Sequence, residues 1–228
     1  MRALITQVRD ACGAVTNHLH ARYGVSVDVA SIAPPLKGDL DGSRILVADH
    51  NTDKERLFLV AHLFGHTVQW NVSAELRRLG MLMPVEPTRD ELDALEAYER
   101  EACRYSQQAL HEAGISGLDQ WLADYSACDL AFLKHLYTTG ERRAFRDFWI
   151  SGQPLIEPLA IPPFKPTRWR RREQAIVFRG PQCEVHSPQS PAPPPDILSP
   201  WGCRSTKRQH FPLRPQSDLM PSGAHHRV

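Results

Sequence analysis

Residues Thr52 to Asn71 read T-D-K-E-R-L-F-L-V-A-H-L-F-G-H-T-V-Q-W-N, and this stretch decides the fold. Thr52 and Glu55 have the spacing of a capping box, which predicts that a helix begins here. After Arg56 the stretch is apolar on almost every side. Because a helix that is apolar all round is a buried helix, we predict that this one lies at the centre of the domain.

The predicted buried helix contains two histidines, His62 and His66. A spacing of four residues puts both imidazoles on one face, about one turn apart. With that arrangement a helix can offer two nitrogens to one metal ion. The alternative is a chance spacing, in which backbone carbonyls satisfy each buried imidazole.

The five residues from His62 to His66 resemble the zinc-peptidase motif H-E-x-x-H, whose Glu is the general base for the metal-bound water. Here Leu63 occupies the Glu position. The motif therefore supplies two candidate metal ligands and no catalytic residue.

The segment before the motif predicts one helix and a small sheet. A helical period from about Ala3 to Arg22 ends at Gly24. The strand signals are the alternating Val25, Val27 and Val29, the hairpin-type turn Asp41-Gly42 and the run Arg44 to Ala48. A helix, a small sheet and then the motif helix predict a mainly helical α+β domain.

Three further helices are predicted after the motif. Thr88 and Glu91 form a second capping box, whose helix should run to about Glu112. The next helix should be closed by Gly140, and a short one should lie within Glu141 to Ile150.

One carboxylate on the second capped helix lies within an apolar stripe. The stripe at about 100° per residue consists of Ala94, Tyr98, Glu101, Ala102, Tyr105 and Ala109. Because burying a carboxylate is costly unless it is paired or binds a metal, Glu101 is either a third metal ligand or the partner of an arginine. Glu96 and Glu99 are expected to point away from the stripe.

The C-terminal part changes character. The cluster Arg168 to Arg172 is basic with one tryptophan, a pattern that can meet phosphate but is more often a solvated edge. The proline-rich segment that follows lacks periodicity and is expected to be disordered. We therefore predict a domain over residues 1–178 and a tail over residues 179–228.

Composition narrows the class of protein. A chain of 228 residues with a net charge of +1 gives no reason to expect a nucleic-acid partner. It has no apolar run of the roughly 18 residues that a membrane helix needs, and its N-terminus does not resemble a signal peptide. Five scattered cysteines favour reduced thiols and a cytoplasmic protein.

Taken with the two histidines and Glu101, the chain resembles the ImmA/IrrE family of metallopeptidase-like domains over about residues 1–150. The similar pieces are the run E-R-x-x-x-x-A-H-x-x-G-H from Glu55 to His66 and the run E-A-x-x-Y that begins at Glu101. The resemblance implies a zincin-like fold and Zn²⁺ bound by His62, His66 and Glu101. It also implies a cytosolic protein with a protein substrate or partner, since several members act on repressor proteins.

The motif, with Leu63 in place of its Glu, is compatible with two main classes of function. The first is a zinc metallopeptidase-like domain with weak or absent proteolysis, because Leu63 cannot supply the roughly 10²- to 10⁴-fold that a general base contributes. The second is a non-catalytic interaction or regulatory domain without bound metal. A purely structural helical domain is a third alternative.

Overall fold

The motif helix is present as α2, Asp53–Val72, and it is buried continuously from Leu57 to Trp70. The computed structural model describes residues 2–81, 87–169 and 177–178. The other helices are α1 Arg2–Tyr23, α3 Ala74–Met81, α4 Arg89–Glu112 and α5 Asp119–Thr139, with a 3₁₀ turn at Phe145–Phe148. The strands are β1 Ser26–Ser31, β2 Gly38–Leu40, β3 Arg44–Ala48 and β4 Val177–Phe178. The fold class is α+β, as predicted.

The start of α2 is fixed by the predicted capping box. The Thr52 side chain accepts a hydrogen bond from the Glu55 N–H, and the Glu55 carboxylate accepts one from the Thr52 N–H. The same carboxylate forms a buried ion pair with Lys37, which precedes β2. Glu55 therefore anchors the N-terminus of α2 to the sheet.

The four strands form a mixed sheet in the order β2-β3-β1-β4. β1 and β3 are parallel, whereas β2 and β4 are antiparallel to their neighbours. The strands predicted before the motif are confirmed as β1 and β3. The predicted turn joins β2 to β3, with Gly42 at φ +96° and the Asp41 carboxylate accepting from the N–H groups of Ser43 and Arg44. The sheet thus packs against α1 and α2, and α4 packs against another face of α2.

The bounds of the two long helices after the motif also agree with the prediction. α4 begins at the second capping box, formed by Thr88 and Glu91, and ends at Glu112. α5 ends at Gly140, which has the left-handed conformation at φ +69°. The short helix expected near residue 145 is a single 3₁₀ turn. The short helix α3 was not predicted; its eight residues include no buried side chain.

The chain after the 3₁₀ turn returns across the domain in extended form. The Trp169 N–H donates to the Asp41 carbonyl at 2.8 Å, and Arg168 pairs with the Asp41 carboxylate at 3.5 Å. The two described residues of the basic cluster, Arg168 and Trp169, therefore contact the β2–β3 turn. The rest of the cluster and the predicted disordered tail lie outside the described residues. None of the helices within the described ranges has the length and apolar character needed to cross a membrane.

Candidate metal centre

Three buried side chains from α2 and α4 converge on one point. The Nε2 atoms of His62 and His66 are 3.1 Å apart, and the Glu99 Oε2 lies 3.0 Å from the first and 3.2 Å from the second. Their residues are 1%, 0% and 8% exposed. Among the described residues, these three side chains form the group whose ligand atoms lie close enough together to hold a metal ion.

A close approach of two helices brings these side chains together. A Cβ atom added at Gly65 would stand 2.8 Å from the Ala102 carbonyl carbon and closer still to its oxygen. Gly65 lies three residues after His62, and Ala102 lies three residues after Glu99, so each contact residue shares a helix face with its candidate ligand. The absence of a side chain at Gly65 therefore sets the spacing across which the carboxylate meets the imidazoles.

The structure places Glu99, and not the predicted Glu101, beside the two histidines. The Glu101 carboxylate accepts a hydrogen bond from Gln69 Nε2 at 2.8 Å and is not one of the three converging groups. The buried face of α4 is rotated from the predicted stripe. It contains Leu95, Tyr98, Glu99, Ala102, Cys103, Tyr105, Ser106, Gln107, Ala109 and Leu110. Leu95 and Cys103 each lie four residues from Glu99 and share its helix face. These two apolar residues were the sequence signal that Glu99 is buried, and the predicted stripe did not include them.

Glu101 is nevertheless connected to the centre through Gln69. The Gln69 amide nitrogen donates to the Tyr98 carbonyl and to Glu101, both at 2.8 Å. Because both of these partners are acceptors, the amide nitrogen must face them. The amide oxygen of Gln69 then faces His66 Nδ1, 2.8 Å away. His66 therefore donates its Nδ1 proton to Gln69, and Nε2 faces the centre. A hydrogen bond of this kind fixes the tautomer of a metal-binding histidine.

The pKa shifts of His62 and Glu99 have the direction that metal binding favours. Burial lowers the pKa of His62, which favours the neutral imidazole. Burial alone would raise the pKa of Glu99, but attraction to a protonated His66 and the hydrogen bonds of both histidines outweigh it and lower that pKa to about 2. A neutral imidazole and an ionised carboxylate are the forms that bind metals.

The three donor atoms lie close enough for one metal ion to contact all of them at once. Without an ion, hydrogen bonds among His62, His66 and Glu99 join the same atoms.

A cavity of about 430 Å³ reaches the centre from the side of α4 and α5. Its lining includes His62 and Glu99 of the centre, together with Cys103 and Asp129. Leu63 lies elsewhere, since a Cβ atom at Gly38 would meet its Cδ1 at 2.9 Å. The position that holds the base in H-E-x-x-H enzymes is thus a core position against β2.

Comparisons of the whole chain with protein-family models, curated proteins and solved structures found no match in any of the three. The geometry of His62, His66 and Glu99 is therefore the basis for a functional proposal.

Proposed function

We propose that this chain is a Zn²⁺-binding, zincin-like domain of the ImmA/IrrE type with weak or absent proteolytic activity. His62, His66 and Glu99 are the proposed ligands. The observation that carries the proposal is the nearly equilateral triangle of their three donor atoms, with sides of 3.0–3.2 Å.

The size of this triangle fits a tetrahedral ion. Zn–N and Zn–O distances of about 2.0–2.2 Å imply ligand atoms roughly 3.3–3.5 Å apart at the corners of a tetrahedron. The three sides are shorter by a few tenths of an ångström, so the ligands need only a small outward adjustment. Two imidazoles and a carboxylate are also the ligand set of several catalytic zinc sites.

The neighbouring thiol does not compete with these ligands. Cys103 Sγ lies 3.6 Å from Nδ1 of His62, the ring nitrogen that faces away from the centre. Burial raises the pKa of Cys103 to about 12, so it remains a protonated thiol. Metal binding needs the thiolate form.

The reason to expect little proteolysis is the absence of the motif's base. Bound zinc supplies Lewis acidity and lowers the pKa of a coordinated water to about 7. The buried, apolar Leu63 can accept no proton. A metal site of this kind stabilises the folded domain by mass action, which is compatible with a role in binding a protein partner.

Metal content tests the proposal directly. We expect one Zn²⁺ per chain after dialysis against Zn²⁺ and then metal-free buffer, measured by elemental analysis and native mass spectrometry. The His62→Ala variant should retain none. The exposed His50 provides the matched control, and His50→Ala should bind as the unmodified chain does. Folded protein that retains no metal at saturating Zn²⁺ would leave the alternative of an interaction domain without metal.

Leu63→Glu should not create a peptidase. The new carboxylate would be buried against Gly38 instead of facing the cavity. We expect a loss of stability of about 3 kcal/mol or more, since removing a core leucine alone costs about 2–5 kcal/mol and the carboxylate adds a burial penalty. The measurements are chemical unfolding and cleavage of an unfolded protein substrate.

Two results would contradict this expectation. One is zinc-dependent cleavage that appears only in Leu63→Glu. The other is strong, chelator-sensitive cleavage by the unmodified chain, which would direct attention to Asp129 as a base within the cavity.

A further inference from the structure

An extended segment forms one wall of the cavity that reaches the metal centre. We call residues 153–159 the strap. Its first five residues line the cavity together with His62 and Glu99. Access to these two ligands from the side of α4 and α5 therefore depends on the position of the strap.

The strap is fixed at its N-terminal end by α5. The Gln153 N–H donates to the Asp124 carboxylate at 2.9 Å, and the Gln120 amide donates to the Gln153 carbonyl at 2.9 Å. Both main-chain groups of one residue are thus held by side chains of a single helix.

The other end of the strap is fixed by one residue of α4. The Arg104 guanidinium donates to the Glu157 carbonyl at 3.1 Å, and the Leu159 N–H donates to the Arg104 carbonyl at 3.2 Å. The Glu157 side chain also lies 3.6 Å from the guanidinium but is 87% exposed. Such an exposed ion pair adds little stability, so the main-chain hydrogen bonds define this anchor.

The part between the anchors is weakly attached. Pro154 and Pro158 have no N–H to donate, and Leu155 is 62% exposed. Ile156 is the residue of this part that packs against the core. Segments with few buried contacts and exposed hydrogen bonds open locally at much lower free energy than the whole fold.

We propose that the strap is a gate that opens locally between its two anchors and controls access to the metal centre. In the closed state it forms one wall of the cavity, and His62 and Glu99 are almost fully buried. In the open state this wall moves away and the cavity widens, so that a metal ion or a ligand can reach them. The role in metal access rests on the proposed function, whereas the opening itself does not.

Cys103 reports the opening without any metal, because it lines the cavity and is buried. The test variant is Arg104→Ala combined with Gln120→Ala, which removes a hydrogen bond from each anchor. We expect iodoacetamide to alkylate Cys103 about tenfold faster in this variant, as follows from the loss of two hydrogen bonds. The rate is measured by peptide mass spectrometry on the full-length, metal-free chain. With Zn²⁺ bound, transfer of the metal to a chelating dye should accelerate similarly.

Two controls separate opening of the gate from general unfolding. Cys128 is buried and bonded to the Phe145 carbonyl away from the cavity, so its alkylation rate should not change. Arg100 lines the same cavity but pairs with Glu96 instead of the strap, and its charge lowers the Cys103 pKa that burial raises, so Arg100→Ala should not accelerate alkylation of Cys103. An unchanged Cys103 rate in the double variant, or equal acceleration at Cys103 and Cys128, overturns the gate. If the chain binds no zinc but Cys103 responds as expected, the zinc proposal fails and the gate stands.

Discussion

Glu99→Gln will remove metal binding, whereas Glu101→Gln will leave most of it. The first change replaces a carboxylate whose oxygen lies 3.0 and 3.2 Å from the two histidine nitrogens. The second alters a group that reaches the centre only through Gln69. Because the two residues lie two positions apart on α4, their comparison distinguishes the ligand predicted from sequence from the one that the structure places at the centre.

Gln69→Ala should give an intermediate result. It removes the acceptor of the His66 Nδ1 proton, and the loss of such an orienting partner typically weakens metal affinity by about 10- to 100-fold. We expect Glu99→Gln to exceed this range and Glu101→Gln to fall below it. Competition titrations with a chelator of known affinity measure all three. If Glu101→Gln weakens binding more than Glu99→Gln, the assignment of the third ligand is wrong.

Gly65→Ala is expected to have the largest effect on stability of any single-methyl change in α2. The added carbon would stand 2.8 Å from the Ala102 carbonyl carbon, where comfortable carbon contacts are about 3.5–4.0 Å. The obstacle is backbone, so α2 and α4 must separate. We expect a loss of about 3 kcal/mol, the upper end of the usual cost of overpacking, and a decrease in Tm of roughly 6–12 °C.

The same substitution at Gly13 is the matched control. Gly13 is an exposed position in α1, and a Cβ atom there would meet nothing within 4 Å. Gly13→Ala should therefore be neutral or stabilise by up to about 1 kcal/mol, as alanine does within helices. Gly65→Ala should also weaken metal binding, since it moves Glu99 away from both histidines. A Tm for Gly65→Ala equal to that of Gly13→Ala would show that the helix contact is looser than described.

The sequence by itself determined the features that depend on neighbouring residues. Thr52 with Glu55 and Thr88 with Glu91 marked both capped helices, because a capping box is completed within four residues. The spacing of His62 and His66 put both rings on one face for the same reason, since the geometry of one helical turn decides it.

Only the tertiary structure decided which carboxylate meets those histidines. α4 carries two stripes that each combine apolar residues with a glutamate, and adjacent positions on a helix differ by about 100°. The stripe that faces α2 is set by how the two helices pack, which places Glu99 beside His62 and His66, residues that are far apart from it in sequence. The strap along the cavity has the same origin, because its anchors on α4 and α5 join residues remote along the chain. Local sequence signals do not specify such contacts, which depend on how complete elements pack.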